Sequence, residues 1–88
     1  MVQKEFTICN EVGLHARPAS ELCALCKQFE SEIKGNTQKK AFNPKSVISI
    51  LTAEIKKGTS ITIEVNGADE EQAMIRLTKF FDGLAGEC

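Results

Sequence analysis

His15 is the only histidine in this chain of 88 residues, and it lies in the stretch GLHARPAS. A free imidazole has a pKa near 6.5, so at neutral pH its unprotonated ring nitrogen can act as a nucleophile. Gly13, two positions earlier, permits a tight backbone path and leaves no side chain to screen the ring. His15 is therefore a candidate nucleophile, although a lone histidine near a helix start is more often a cap or a solvated surface residue.

The residues after His15 could bind an anion. Proline is tolerated in the first turn of a helix, so Pro18 predicts a helix that begins near Ala16 with His15 at the N-cap. The backbone N–H groups of Ala16 and Arg17 would then lie at the positive end of the helix dipole. Arg17 adds a charged, planar set of donors that matches phosphate oxygens. Together these groups predict a phosphate-binding site beside the imidazole.

Cysteines offer a second kind of chemistry. Cys23 and Cys26 have the spacing of a redox or metal pair, but they fall well inside the predicted helix, where we expect them to pack structurally. Cys9 and Cys88 supply no second ligand pair, so we expect no metal and no cofactor. Because no secretion signal is apparent, we interpret all four cysteines as reduced thiols.

Composition narrows the classes of function. Eleven basic and twelve acidic residues give a formal charge of −1, without a dense basic run, so nucleic acid is not an expected partner. No stretch is apolar enough to span a bilayer, and we expect a cytoplasmic protein that does not bind membranes. The length predicts one domain over residues 1–88.

Apolar periodicity predicts the elements that position these residues. Residues 2–8 and 60–66 alternate as half-buried strands, and residues 16 to about 28 carry a helical stripe. Two weaker strands are predicted around Ile33 and Phe42, with Gly35, Asn36 and the paired lysines marking a hairpin. Asp69 and Gln72 resemble a capping box at the start of a final helix that ends at Gly83 and Gly86.

A short helix is predicted after Asn43-Pro44, with Ser46 as its N-cap and Lys56-Lys57-Gly58 ending the segment. It contains more apolar residues than one buried face of a short helix needs, so Val47, Ile48 and Leu51 could form a docking patch. The alternative is that this helix is simply well buried. The element order β-α-β-β-α-β-α is satisfied by an open-faced α/β sandwich.

The motifs GLHARPAS and KSVISIL, together with the segment KGTSITIEVNGADEEQA, closely resemble the HPr family. These are the histidine-containing phosphocarrier proteins of the bacterial phosphoenolpyruvate:sugar phosphotransferase system. The resemblance covers essentially the whole chain. It implies an α/β (α+β) open-faced β-sandwich, in which three helices cover one face of a four-stranded antiparallel sheet. The sequence departs from the family at Ser49 and Glu54, where glycines are usual, and at Val12, where a polar residue is common.

The resemblance also implies roles for individual residues. His15 would accept a phosphoryl group at ring Nδ1 from phosphorylated enzyme I and pass it to sugar-specific enzyme IIA domains, with Arg17 stabilising the phosphate. Ser46 would be a regulatory site for an HPr kinase/phosphorylase, and its phosphorylated form would act on a catabolite-control regulator. Val47, Ile48 and Leu51 would contact partner proteins.

Three hypotheses follow, in decreasing order of support. The first is a phosphoryl carrier working through His15, which does not turn over substrate alone and which we expect to be a monomer. The second is a regulatory binding module switched at Ser46, whose alternative role is that of a simple helix cap. The third is a thiol-based redox or metal-binding protein that uses the cysteines.

Overall fold

A computed structural model describes residues 1–9, 14 and 16–85 of the chain. In these residues the chain forms four strands and three helices in the predicted order. They are β1 (Val2–Thr7), α1 (Ala16–Lys27), β2 (Glu32–Thr37), β3 (Ala41–Phe42), α2 (Val47–Thr52), β4 (Ser60–Asn66) and α3 (Glu70–Ala85). No helix in this part of the chain has the length and apolar character that a membrane span requires.

The four strands form one antiparallel sheet with the order β1-β4-β2-β3. The register pairs Phe6 with Ile61 and Ile33 with Val65, so the apolar residues of neighbouring strands point to the same face. The helices cover that face, where α1 packs against α2 and α3, and α3 also contacts β1 and β4. The predicted open-faced sandwich is therefore confirmed.

One core joins the sheet and the helices. Ile61, Ile63 and Val65 of the central strand β4 are fully buried, as their alternation predicts. The helices contribute residues at three- and four-residue spacings. Besides Pro18, those buried from α1, α2 and α3 are Ala19, Leu22, Cys23, Cys26, Ile50, Ala73, Leu77, Phe81 and Leu84. The first predicted helix, over 16 to about 28, agrees with α1 as observed.

Two predicted ends differ from the structure. Gly83 lies inside α3 rather than at its end, because the next residue, Leu84, is buried in the core and a helical glycine costs only about 1 kcal/mol relative to alanine. Gly86, the other residue predicted at this end, lies outside the described residues. The helix α2 stops at Thr52, well before Lys56-Lys57-Gly58. Ala53 is its C-cap, and the chain then takes a left-handed conformation at Glu54 with φ of 53°.

The hairpin between β2 and β3 lies at the paired lysines Lys39 and Lys40, as predicted, and not at Gly35 and Asn36. Gly35 and Asn36 lie within β2, and the turn follows Thr37. The Thr37 hydroxyl accepts the backbone N–H groups of Lys39 and Lys40 at 3.2 and 3.1 Å, while the Thr37 N–H donates to the Lys40 carbonyl at 2.8 Å. This threonine therefore closes the turn that the glycine was expected to make.

Candidate functional site

The first turn of α1 combines exposed residues with a buried proline. The helix begins at Ala16, as predicted, and the side chains of Ala16 and Arg17 are exposed. Pro18 is fully buried directly behind them. Proline lacks a backbone N–H, and at this position that N–H would have no partner within the helix. Burial of Pro18 therefore fixes the start of α1 while its first exposed residues remain accessible.

Leu14, two residues before α1, is anchored to the rest of the fold. This side chain is buried, and its backbone N–H donates to the Ile55 carbonyl at 3.0 Å. The contact ties the start of α1 to the segment after α2. His15, the predicted nucleophile, lies outside the described residues, so its assignment stays a prediction.

Arg17 has a partner that the sequence reasoning missed. One guanidinium nitrogen, Nη1, lies 2.9 Å from Glu21 Oε1, one helical turn further along α1. Both side chains are more than half exposed, so solvent screens the attraction to about 0.2–0.5 kcal/mol. The spacing of four residues within a predicted helix could have predicted this ion pair. So weak a pair can open and re-form in solution.

Ser46 is the N-cap of α2, as predicted. Its backbone is extended, with φ of −129° and ψ of 118°, and its hydroxyl accepts the Ser49 N–H at 3.3 Å. The Ser46 carbonyl accepts the Ile50 N–H at 3.0 Å, which begins the helix. The Ser46 side chain is half-buried. The hydroxyl therefore lies at the helix start, on a residue that is partly exposed.

Ser49 fixes the loop in front of α2, a role that the sequence reasoning missed. Its hydroxyl accepts the backbone N–H of Asn43 at 2.8 Å, across the turn that contains Pro44. The Asn43 side chain in turn accepts the Lys45 N–H at 3.0 Å. A glycine at position 49 would have no hydroxyl for this bond. Ser49 therefore adds a tie between the loop and the helix.

The apolar residues of α2 divide between core and surface. Ile50 is fully buried and anchors the helix, whereas Val47 is half-buried against the core. Ile48 and Leu51 are 75% and 40% exposed. The alternative of a simply buried helix therefore does not account for Ile48 and Leu51. Because α2 packs against α1, this exposed apolar surface belongs to the same pair of helices as Arg17.

The cysteines take two different roles. Cys23 and Cys26 are free thiols buried in the core, which confirms their packing role. Burial, together with a smaller contribution from the nearby Cys23, raises the pKa of Cys26 to about 12, although Lys45 acts in the opposite direction. A thiol with that pKa is almost entirely protonated at neutral pH and is a poor nucleophile and metal ligand. Within the described residues, no group of three or more histidine, cysteine or acidic side chains is arranged to hold a metal.

Cys9 corrects the interpretation that all four cysteines are reduced. It is disulfide-bonded in the structure. The prediction relied on the apparent lack of a secretion signal, which concerns the redox compartment. Whether a disulfide can form depends instead on how closely the fold brings two cysteines together, and spacing along the sequence does not reveal that distance.

Comparison with known proteins gives a consistent result. Residues 2–82 match the family model PTS-HPr, described as the PTS HPr component phosphorylation site. The phosphocarrier protein HPr of Lysinibacillus sphaericus is 41% identical over 73 residues, which cover 83% of each chain. The phosphocarrier protein HPr of Neisseria meningitidis is 36% identical over 87 residues, covering 99% of this chain and 98% of the relative.

Solved structures share the fold over the same length. HPr-C-His from Thermoanaerobacter tengcongensis superposes with a TM-score of 0.92 at 31% identity, covering 100% of this chain and 99% of that one. A dimer of HPr from the same organism gives a TM-score of 0.74 at 30% identity and covers 94% and 95% of the two chains. The sequence relatives and the structural neighbours therefore agree.

Proposed function

This chain belongs to the HPr family, the phosphocarrier proteins of the phosphotransferase system, and from that premise we propose that it carries a phosphoryl group on His15. The donor is phosphorylated enzyme I, and the acceptors are sugar-specific enzyme IIA domains. The protein acts as a cytoplasmic carrier and does not turn over substrate alone.

The transfer consists of two displacements. In the first, a ring nitrogen of His15 attacks the phosphorus, a nitrogen–phosphorus bond forms, and the bond to the donor breaks as its electron pair leaves with the donor atom. In the second, an acceptor group attacks the same phosphorus and the electron pair of the broken bond returns to the imidazole. Each step conserves the phosphoryl group, so His15 is restored after every relay.

The observation that carries this proposal is the exposed first turn of α1. Ala16 and Arg17 are exposed at the positive end of a helix of 12 residues, directly after His15 in the chain. Backbone N–H groups in a first turn have no partner within the helix and attract anions. Arg17 adds a full positive charge at the same place. These groups support binding of the phosphoryl oxygens before and after transfer.

Partner proteins would dock on Val47, Ile48 and Leu51. The exposed fractions of Ile48 and Leu51 support this role, because an apolar side chain in water gains free energy when a partner covers it. A small apolar patch gives an interface below the size of permanent complexes. Such binding suits a carrier that must release one partner before it meets the next.

Carrier chemistry is tested by incubating the purified protein with phosphoenolpyruvate and an active enzyme I, followed by intact mass measurement. We expect one added phosphate that is lost in acid, because a phosphoramidate bond is acid-labile and a phosphoserine is not. The His15→Ala variant should gain none, while the control Gln72→Ala, at an exposed position of α3, should behave as wild type. Labelling that persists in a folded His15→Ala protein would exclude the proposal.

Ser46 is a second proposed site, for regulatory phosphorylation by an HPr kinase/phosphorylase that is read by a catabolite-control regulator. Its half-buried hydroxyl at the start of α2 supports this role. A phosphate there adds a charge of about −2 beside Val47 and Ile48, which would change docking on that surface. ATP-dependent labelling should disappear in Ser46→Ala and persist in Ser20→Ala, which removes an exposed serine of α1. Equal labelling of the two variants would exclude Ser46.

The carrier is proposed to act as a monomer. The dimeric HPr of Thermoanaerobacter tengcongensis makes the oligomeric state a separate question for this chain. Sedimentation equilibrium over a hundredfold range of concentration should give the mass of one chain, 9.7 kDa. A mass that doubles with concentration would contradict the monomer.

A further inference from the structure

A concave surface lined by lysines lies at the end of the sheet formed by the β2–β3 turn and the start of β4. Its volume is about 510 Å³. In the part of the chain that the structure describes, three segments line it, namely residues 37–40, 53–54 and 56–60. Cavities that bind small molecules commonly have volumes of about 300–1,000 Å³. We refer to this feature as the lysine cavity.

Charge in the lysine cavity differs from charge in the whole protein. Among the described residues, the lining contains four lysines, Lys39, Lys40, Lys56 and Lys57, and one carboxylate, Glu54, although the chain as a whole has a formal charge of −1. The clustering is therefore a local property. Like charges held together raise the local positive potential and favour a bound anion.

Two of the lysines are available to a ligand. Lys39 and Lys56 are exposed, and no carboxylate among the described residues forms an ion pair with either. Lys40 has a structural role, because its ammonium group donates to the carbonyl of Thr52, the last residue of α2. Lys57 contributes its charge to the wall. Lysine binds phosphate as a point charge, without the fixed geometry that arginine imposes.

The walls are fixed by hydrogen bonds within the protein. On one side, the Thr37 hydroxyl holds the turn that carries Lys39. On the other, the Lys56 N–H donates to the Thr59 hydroxyl at 3.2 Å and the Thr59 N–H donates to the Lys56 carbonyl at 3.0 Å. The Gly58 N–H is bonded to the Ile8 carbonyl at 2.6 Å. Side chains, rather than these bonded amides, must therefore recognise the ligand.

Glu54 is the unusual residue in this wall. It is the only described residue other than glycine with a positive φ, 53°, a conformation that costs an L-residue roughly 1–2 kcal/mol. Its carboxylate repels a bare anion but accepts hydrogen bonds from hydroxyl groups. Gln38 lines the cavity too and can also bond to hydroxyls. This combination of ammonium and hydrogen-bonding groups suits a ligand with a phosphate at one end and hydroxyls at the other.

We propose that the lysine cavity binds a small phosphate monoester that carries hydroxyl groups, such as a sugar or polyol phosphate. Lys39 and Lys56 bind the phosphate, and Glu54 and Gln38 bind the hydroxyls. No bond is formed or broken. The residues proposed to bind the ligand do not include His15, so this proposal does not depend on phosphoryl transfer.

The test is a titration of the full chain, labelled with ¹⁵N, followed by amide chemical shifts. The probes are glucose 6-phosphate, glucose and inorganic phosphate, up to about 10 mM, a range that detects millimolar affinity. We expect saturable shifts at Lys39, Gly58 and Thr59 with glucose 6-phosphate, weaker binding of inorganic phosphate, and none of glucose. Absence of saturable shifts at these residues would overturn the proposal, as would equal affinity for glucose 6-phosphate and inorganic phosphate.

Matched variants locate the binding site. Lys39→Gln/Lys56→Gln should raise the Kd for glucose 6-phosphate roughly fivefold or more, because two exposed charge pairs are lost. Lys27→Gln/Lys79→Gln removes two exposed charges outside the cavity and should change the Kd less than twofold. Equal effects of the two pairs would indicate nonspecific charge attraction and contradict a built site.

Glu54→Gln tests recognition of the hydroxyls. It removes the repulsion of bare anions, so inorganic phosphate should bind more tightly and the preference for glucose 6-phosphate should shrink. An unchanged preference would exclude Glu54 as the discriminating residue. In parallel, the Lys39→Gln/Lys56→Gln variant should accept a phosphoryl group on His15 at the wild-type level, which separates failure of this site from failure of the carrier function.

Discussion

The carboxylate of Asp69 holds Ser31 from 38 positions away in sequence, by accepting both its backbone N–H at 2.9 Å and its side-chain hydroxyl. The Glu30 N–H donates to the same carboxylate at 2.9 Å. In addition, Lys45 Nζ donates to the carbonyls of Phe29 and Ser31 at 3.1 and 2.9 Å. The loop between α1 and β2 is thus fastened by one anion and one cation from distant segments.

Asp69→Asn is expected to lower the free energy of unfolding at neutral pH. It should also make the free energy of unfolding less dependent on pH in the acid range. The Ser31 side-chain hydrogen bond, followed by the Glu30 backbone bond, holds the pKa of Asp69 below its usual value. A lowered pKa in the folded state means that the stabilisation is present above the ordinary value of 3.8 and is lost as the pH falls through the lower folded value.

Urea unfolding between pH 2 and 7 measures this effect. The control Asp82→Asn changes an exposed carboxylate of α3 and should keep the wild-type acid dependence. Part of that dependence should remain even in Asp69→Asn, because bonds from the amino terminus and Gly67 also lower the pKa of Glu70. Parallel stability curves for wild type and Asp69→Asn would contradict the assignment.

Glu54→Gly should stabilise the fold by about 1 kcal/mol or less. The φ of 53° strains an L-residue but not glycine, and the greater freedom of glycine in the unfolded chain offsets part of the gain. Thermal unfolding should show a higher Tm for Glu54→Gly. Glu54→Ala keeps the Cβ atom and should not raise the Tm. An equal rise in Tm for Glu54→Ala would show that the loss of the carboxylate charge, and not relief of backbone strain, stabilises the fold.

Gly35→Ala should destabilise the sheet by about 1–3 kcal/mol, the usual cost of overpacking a core. A Cβ atom at Gly35 would lie 2.6 Å from both Cε1 and Cε2 of Phe42, its partner across the β2–β3 pair. Chemical denaturation measures the loss. Phe42→Leu completes a double-mutant cycle. The double variant should lose less stability than the sum of the losses in the two single variants. Strict additivity would show that the ring is not the obstacle.

Glu21→Gln should speed phosphoryl acceptance by up to about twofold, because breaking an exposed pair at this spacing releases about 0.2–0.5 kcal/mol. The substitution weakens the 2.9 Å contact between Glu21 and Arg17 by removing the carboxylate charge. The rate with enzyme I under single-turnover conditions measures it. In an Arg17→Ala background the same substitution should have no effect, and an equal acceleration there would rule out action through Arg17.

The Cys26 thiol should react with a disulfide reagent only when the protein unfolds. Burial raises its pKa to about 12, so in the folded state the reagent cannot reach the sulfur and almost no thiolate is present. The rate of labelling in the Cys23→Ala variant, which leaves Cys26 as the sole free thiol among the described residues, should follow the rate of opening across urea concentrations. Rapid labelling in the absence of urea would contradict the buried position.

Much of the fold could be predicted from local patterns. Alternation along β4, the helical stripe of α1 and the order of elements all depend on residues a few positions apart, and each was found in the structure. Ser46 as an N-cap is also a local feature, since its hydroxyl bonds to Ser49 three residues away. Arg17 stays a predicted site residue, chosen from its place after a predicted helix start, and its partner Glu21 could have been found from the helical spacing of four residues.

Only the tertiary structure decided the contacts between distant segments. Asp69 resembles the first residue of a capping box, yet its carboxylate is used by Ser31 across the fold. The disulfide of Cys9 and the meeting of three segments around the lysine cavity are likewise absent from any local pattern. The physical reason is that periodicity records which face of an element is buried, whereas hydrogen bonds, charge clusters and disulfides depend on distances that exist only after the elements pack.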